Sequence, residues 1–463
     1  MSTTTAPAPP ARPPAGHGRG PSGPPIRRRR RSFGALAAAA VAVVALARFA
    51  TADSGDDPAA PPRRPSTPAQ QVAALEARAD ARPRDPRGWR DLAAAYLARG
   101  AETSDPAFYD LTERALGRAD DLAPADPETT VLQGSLALAR HQFADALALG
   151  TAAREAAPDD PDALVVLIDA QVELGRYDDA EVTLSRLLDM RPGVAALSRA
   201  SYLQQLSGRA AQAILTMQSA RDAAEASPGA AAAVTTFLGD LRLSSGDLDR
   251  ADAAYRAALE RSPGLVLAEL GRASVLELRG RRAEAIDALT RLTERYPLPA
   301  AVALLADLER LGGRTEDADL NVEVARAAFG SVVSAGGVVD LERAVFEADR
   351  GDRALAVTLA TAAHDARSTI FTADALAWAL TRAGRPAEAV PFAEEAVRLG
   401  TQDTTLRFHA ATTFADAGRV DRARAELGAA ANAGGPLPPL HRTAAVALAD
   451  RLGIEAPDLW RVG

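Results

Sequence analysis

The stretch Thr235-Thr-Phe-Leu-Gly-Asp-Leu-Arg-Leu-Ser-Ser-Gly-Asp-Leu-Asp-Arg-Ala-Asp-Ala-Ala-Tyr-Arg-Ala-Ala-Leu-Glu-Arg-Ser-Pro263 reads as two helices joined by a tight turn. Thr235, Leu238 and Gly239 stand 11, 8 and 7 residues ahead of Gly246 and lie on one helical face. Gly246 accepts the left-handed conformation that closes a helix, because it has no Cβ to clash. Ala251 follows five residues later. It sits where a second helix crosses the first, and only a small side chain permits that approach. Tyr255 and Ala258 continue the buried stripe, and Pro263 disfavours helix in the residue before it.

The same phrase returns along the chain. Glycine, a polar residue, a short run and then alanine occur at Gly175–Ala180, Gly208–Ala213, Gly246–Ala251, Gly280–Ala285, Gly313–Ala318, Gly351–Ala356, Gly384–Ala389 and Gly418–Ala423. His141–Ala146 is the same phrase with histidine in the glycine's place. From 141 onward the steps are 34, 33, 38, 34, 33, 38, 33 and 34 residues. Gly100 reads as one earlier copy, 41 residues back, with an insertion around Thr103–Ala107. The two steps of 38 predict a second helix or a following loop about one turn longer. Gly330–Val339 is the weakest stretch and reads as a loop, a hinge or a break between sub-solenoids.

This pattern resembles the tetratricopeptide repeat, whose 34-residue signature runs W-x2-L-G-x2-Y, then A-x3-F, then A and P. Trp89, Leu92, Ala93 and Tyr96 ahead of Gly100 match its first half, and Thr235–Pro263 gives the most complete copy. The last units, with Ala373–Leu380, look like exported bacterial members. The resemblance implies an all-α, right-handed α-solenoid of about ten helix-turn-helix repeats over residues 68–435. A helix near Pro438–Leu452 is expected to cap its end within residues 436–463, because a terminal unit must cover its apolar face.

A solenoid of this family has no enclosed pocket and binds peptides or proteins along the groove lined by its first helices. Carried over by position, the groove comprises Asp162, Val165, Asp169, Glu173, Thr236, Asp240, Leu243, Asp307, Arg310, Leu341, Asp349, Phe371, Asp374, Trp378, Arg382, Thr405, Phe408 and Asp416. The core of the expected partner site is Asp162, Asp169, Thr236, Asp240, Leu243, Asp307, Leu341, Phe371, Asp374, Trp378 and Phe408. It reads as an acidic groove with aromatic anchors, suited to basic segments of a protein or peptide. The plainer alternative is that the acids form a solvated face. Trp378 is ambiguous, since a shift of one position would bury it between helices.

Composition narrows the chemistry. The chain has 463 residues, 53 basic and 61 acidic side chains, and no cysteine. It also has no lysine, so all 53 basic residues are arginine. Disulfides, zinc-thiolate sites and cysteine nucleophiles are excluded, as are a phosphate-loop lysine and Schiff-base catalysis. The lack of lysine, with Arg90 the one basic fifth position, also argues against the carboxylate clamp of chaperone-binding relatives. Gly18–Gly23 spells GxGxxG but has no preceding strand or following helix. His364-Asp365 reads as a surface pair, and His409 has no partner visible in sequence. No catalytic residue, metal site or cofactor is expected; a hydrolase using groove carboxylates is the remote alternative.

Charge is unevenly placed. Residues 1–52 carry eight arginines and no acid, whereas residues 53–463 carry −16, which disfavours nucleic acid. Residues 1–31 read as a disordered Pro- and Arg-rich leader. Residues 32–52 read as a membrane anchor, with the Arg27–Arg31 block cytoplasmic and the solenoid outside. The competing reading is an export signal cleaved after Ala50-Thr51-Ala52. Residues 53–67 read as a linker. The expected function is a non-enzymatic scaffold at the cell envelope, or an assembly factor organising an envelope enzyme complex.

Overall fold

The computed structural model describes residues 68–461, together with Met1. The expected leader, apolar segment and linker therefore lie outside the described residues, Met1 apart. Within 68–461 there are twenty-two α-helices, one short 3-10 turn and no strand. Ten helix pairs run from Pro86–Thr103 with Ala107–Leu122 to Thr404–Asp416 with Val420–Ala433. Pro68–Ala81 precedes them and Pro439–Leu452 follows.

Local chemistry explains the pairs. Asp85, Asp126 and Asp160 each precede a proline and accept a backbone N–H of the first turn, so three first helices start on an Asp-Pro cap. At the other end Gly175, Gly208, Gly246, Gly280, Gly313, Gly384 and Gly418 take φ between 71° and 79°. The next residue then donates its N–H back into the helix, as Arg176 does to the Gln171 carbonyl (2.8 Å) and Arg209 to Gln204 (2.8 Å). His141 fills the same role at φ 60°. Gly351 does not: its φ is −151°, and a Cβ there would meet only the movable ends of the Glu347 and Arg326 side chains.

The alanine after each turn is the crossing point. Ala146, Ala180, Ala213, Ala251, Ala285, Ala318, Ala356, Ala389 and Ala423 are all 0% exposed. Second helices bury one stripe, such as Ala285, Leu289 and Leu292. First helices are buried nearly all round, as in the unbroken run Ala163–Val172. They touch their own partner, both neighbouring pairs and the interior of the coil.

One of the two expectations on length needs correction. The first 38-residue step lengthens the first helix Pro228–Ser244 (17 residues), and the second helix before it keeps 14. The other step does lengthen a second helix, Thr315–Ser334, to 20 residues. Gly330–Ser334 is the end of that helix, and the turn after it docks on an earlier pair. There His141 Nδ1 lies 2.9 Å from the Val338 carbonyl oxygen, and the Val338 N–H donates to the Arg140 carbonyl (3.1 Å).

That contact is one of a series, because the solenoid coils until it meets itself. Arg367 pairs with Glu173 (2.7 Å), and the Ile370 N–H donates to the Tyr177 hydroxyl (3.2 Å). These contacts and that of His141 join residues 193 to 197 positions apart. Gly175, Gly208 and Gly246 lie directly beneath the carbonyls of Ser368, Gly400 and Gly434, so close that a Cβ would overlap each oxygen. The C-terminal helix Pro439–Leu452 covers the last pair with Ala445, Leu448, Ala449 and Leu452, as a cap should. It also reaches across the coil, where Arg442 meets Glu277.

Candidate binding cavity

Seven consecutive first helices, from Pro161–Glu173 to Ile370–Arg382, with Phe329 of the second helix Thr315–Ser334 and the segment Pro436–Arg442, line a half-open cavity of about 620 Å³. Its wall is mainly apolar, with Leu243, Leu304, Phe329, Leu341, Phe346 and Phe371. The groove is therefore deeper than the open curved surface expected of a solenoid, though it stays half-open. Closure of the coil and the crossing C-terminal segment turn the groove into a chamber of the size that holds a drug-sized molecule or a few residues.

Six of the expected groove residues come together in it: Glu173, Leu243, Asp307, Leu341, Phe371 and Asp374. The acids are not a solvated face. Asp307 is 3% exposed and receives two hydrogen bonds from Arg350 (2.9 and 2.5 Å). Asp169, outside the cavity wall, is 6% exposed and pairs with buried Arg199 at 2.5 Å. Asp374 lies 3.0 Å from His409 Nδ1, so His409 has the partner that its sequence neighbourhood did not show. Burial alone would lower the His409 pKa, but the carboxylates of Asp374, Asp349 and Asp403, Asp374 foremost, together outweigh it and the value is raised.

The remaining predicted residues serve the packing. Trp378 is buried, donates its indole N–H to Asp349 (2.8 Å) and stacks on the His409 ring at 4.0 Å. His441 from the C-terminal helix lies 3.1 Å from Asp349 and edge-on to Trp378. Phe408 is 1% exposed within this cluster. Two of the aromatic anchors expected to face a partner, Trp378 and Phe408, thus hold the C-terminal helix in place. Thr236 is buried and donates to the Ala232 carbonyl (2.9 Å). Asp240 accepts the Tyr255 hydroxyl at 2.7 Å, and burial pushes its pKa up to about 6. Asp162 is partly buried near Arg191, 3.6 Å away. His364, expected on the surface, is partly covered and lies 3.0 Å from Glu395.

Sequence reading missed Glu277, Glu342 and Arg442. Glu277 and Arg442 form a buried two-point ion pair at 2.6 and 2.7 Å. Glu342 lines the cavity, and neither of its carboxylate oxygens, both buried, has a hydrogen-bond partner. Some pairs had a detectable signal, since Asp169 with Arg199 and Asp374 with His409 lie about one repeat apart on adjacent first helices. Glu277 with Arg442 had none, because it depends on how tightly the coil winds. Among the described residues no cluster of three metal-ligating side chains exists.

Profiles of the tetratricopeptide repeat match residues 137–204 and 236–298, so the chain carries tetratricopeptide repeats over those two stretches. Its fold is similar to a thermophilic protein of this class from Thermus thermophilus, with 24% identity and TM-score 0.36, covering 42% of this chain and 99% of that one. A human IFIT1 dimer with PPP-AAAA is similar at 13% identity and TM-score 0.45, covering 72% of this chain and 79% of that one. PilW, described as a widely conserved type IV pilus biogenesis factor, is similar at 15% identity and TM-score 0.37, covering 45% of this chain and 97% of its own. No curated protein matches.

Proposed function

We propose that this protein is a non-enzymatic scaffold at the cell envelope whose interior cavity receives a segment of a partner protein. One observation carries the reading: an apolar chamber in the coil's centre retains a carboxylate, Glu342, that the protein itself leaves without a partner. A chamber serving only to complete a core would be filled or would pair its charges. The acids that pair internally stiffen the walls.

Residues 32–52 anchor this scaffold in the membrane, with the Arg27–Arg31 block inside and the solenoid outside. No helix among the described residues is long and apolar enough to cross a membrane, so the reading rests on that segment. Ala50-Thr51-Ala52 supports the second reading, secretion after cleavage. Intact mass of the protein recovered from a membrane fraction separates the two: the full chain favours the anchor, and loss of 52 residues favours cleavage.

The cavity is tested by placing a photo-cross-linking residue at Leu304, on its wall, and at Val182, 73% exposed on a second helix. Discrete protein adducts from Leu304 and none from Val182 are expected in cells. Adducts from Val182 alone would show that the working surface is the outside of the coil.

A further inference from the structure

The cavity wall carries five carboxylates, Glu173, Glu277, Asp307, Glu342 and Asp374, and two guanidinium groups, Arg350 and Arg442. Four of the five acids have a basic partner. Glu173 meets Arg367 (2.7 Å), Glu277 meets Arg442 (2.6 Å), Asp307 meets Arg350 (2.5 Å) and Asp374 meets His409 (3.0 Å). Glu342 is the exception: both its oxygens are buried and neither accepts a hydrogen bond. A carboxylate taken out of water without a donor is costly, and a single arriving cation relieves that cost.

The chain supplies its own example of what the chamber accepts. Pro436-Leu-Pro-Pro-Leu-His-Arg442 enters the cavity wall as an apolar segment ending in one arginine. Leu437 is 2% exposed, and Arg442 forks onto Glu277 with both terminal nitrogens. Leu243, Leu304, Leu341 and Phe371 line the same chamber as that segment. We infer that the guest is a peptide segment in which apolar residues flank one arginine or lysine, its cation capping Glu342 as Arg442 caps Glu277. This rests on the reading of the cavity as the binding surface.

The test uses the full chain and three probes: acetyl-Leu-Pro-Leu-Arg-Leu-amide and its Gln and Glu counterparts at the arginine position. Titration calorimetry is expected to show the Arg peptide binding about tenfold tighter than the Gln peptide, with the Glu peptide weakest. In Glu342→Gln that preference should collapse to within about twofold, and the variant's melting temperature should not fall, since it loses an unpaired charge. Equal affinity for the Arg and Gln peptides, persistence of the preference in Glu342→Gln, or no binding of the Arg peptide at about 1 mM overturns the inference. Octylamine binding as tightly as the Arg peptide, also through Glu342, would overturn the peptide in favour of a small amphipathic cation. Leu304→Trp fills the chamber and separates the two readings. Charge-indifferent binding that Leu304→Trp abolishes sinks only the cation, whereas binding that survives it sinks the cavity as well.

Discussion

Two sets of turns share one local design and differ in what lies above them. Gly175, Gly208 and Gly246 sit under a carbonyl of the next coil, while Gly280, Gly313, Gly384 and Gly418 have nothing within reach of an added Cβ. Their φ angles are indistinguishable, from 71° to 79°. The repeat therefore solves a local problem everywhere and a long-range problem only where the coil closes. At the fourth overlapping turn, His141 replaces glycine and reaches the next coil with its ring. Coil closure is what makes a chamber of the groove, so the overlapping turns contribute to the candidate site although none of them lines it.

The strongest way to break this comparison is to cut the contact that spans the coil. Arg442→Ala leaves Glu277 buried and unpaired and should destabilise the protein by about 3–5 kcal/mol. Arg385→Ala, which removes an exposed pair with Glu388 inside one repeat, should leave stability essentially unchanged. Denaturant midpoints of the two variants check this, and equal effects would mean that the crossing segment is not held by its ion pair. Next comes Gly208→Ala, which combines a left-handed penalty with collision against Gly400 and should cost about 2–4 kcal/mol. Gly384→Ala carries only the penalty, about 1–2 kcal/mol. Small-angle scattering should show expansion for the first variant alone. If both lose the same stability and stay compact, the overlap contributes nothing.

Ala251→Leu probes the opposite level, the crossing within one pair. Ala251 is 0% exposed, and overpacking there should cost about 1–3 kcal/mol by thermal melting, with no effect on coil closure. Such within-pair features were legible in the sequence because they are set by residues a few positions apart: a glycine that must turn and an alanine that must admit a helix. The ten pairs follow from that phase alone. The chamber was not legible, because its closure depends on small rotations summed over successive pairs. For the same reason Asp169, Asp307 and Asp374 were placed on the interior face but read as facing water. Trp378 and Phe408 were read as partner anchors, yet the C-terminal helix already packs on them. Glu342 could not be singled out, since being unpaired is a property of everything around it.

The smallest effect separates the pairs from the overlap by pH. Tyr255 is 0% exposed, its ring wedged between Gly239 and Gly271, and its hydroxyl donates to Asp240. Burial raises the Asp240 pKa from 3.8 to about 6, against the Tyr255 hydrogen bond, which lowers it. The folded protein therefore holds this proton more tightly than the unfolded chain, and stability declines as pH rises from about 4 through 6. Asp240 is only partly buried, which reduces the contribution to about 1 kcal/mol. Asp240→Asn still accepts from Tyr255 and carries no charge, so it should melt higher than the parent at pH 7 and lose that advantage at pH 4. The same slope should persist in Gly208→Ala, because the Tyr255–Asp240 pair lies inside one repeat and does not need the coil to close. A slope that vanished with the overlap would instead place this titration under long-range control and erase the distinction between the two kinds of turn.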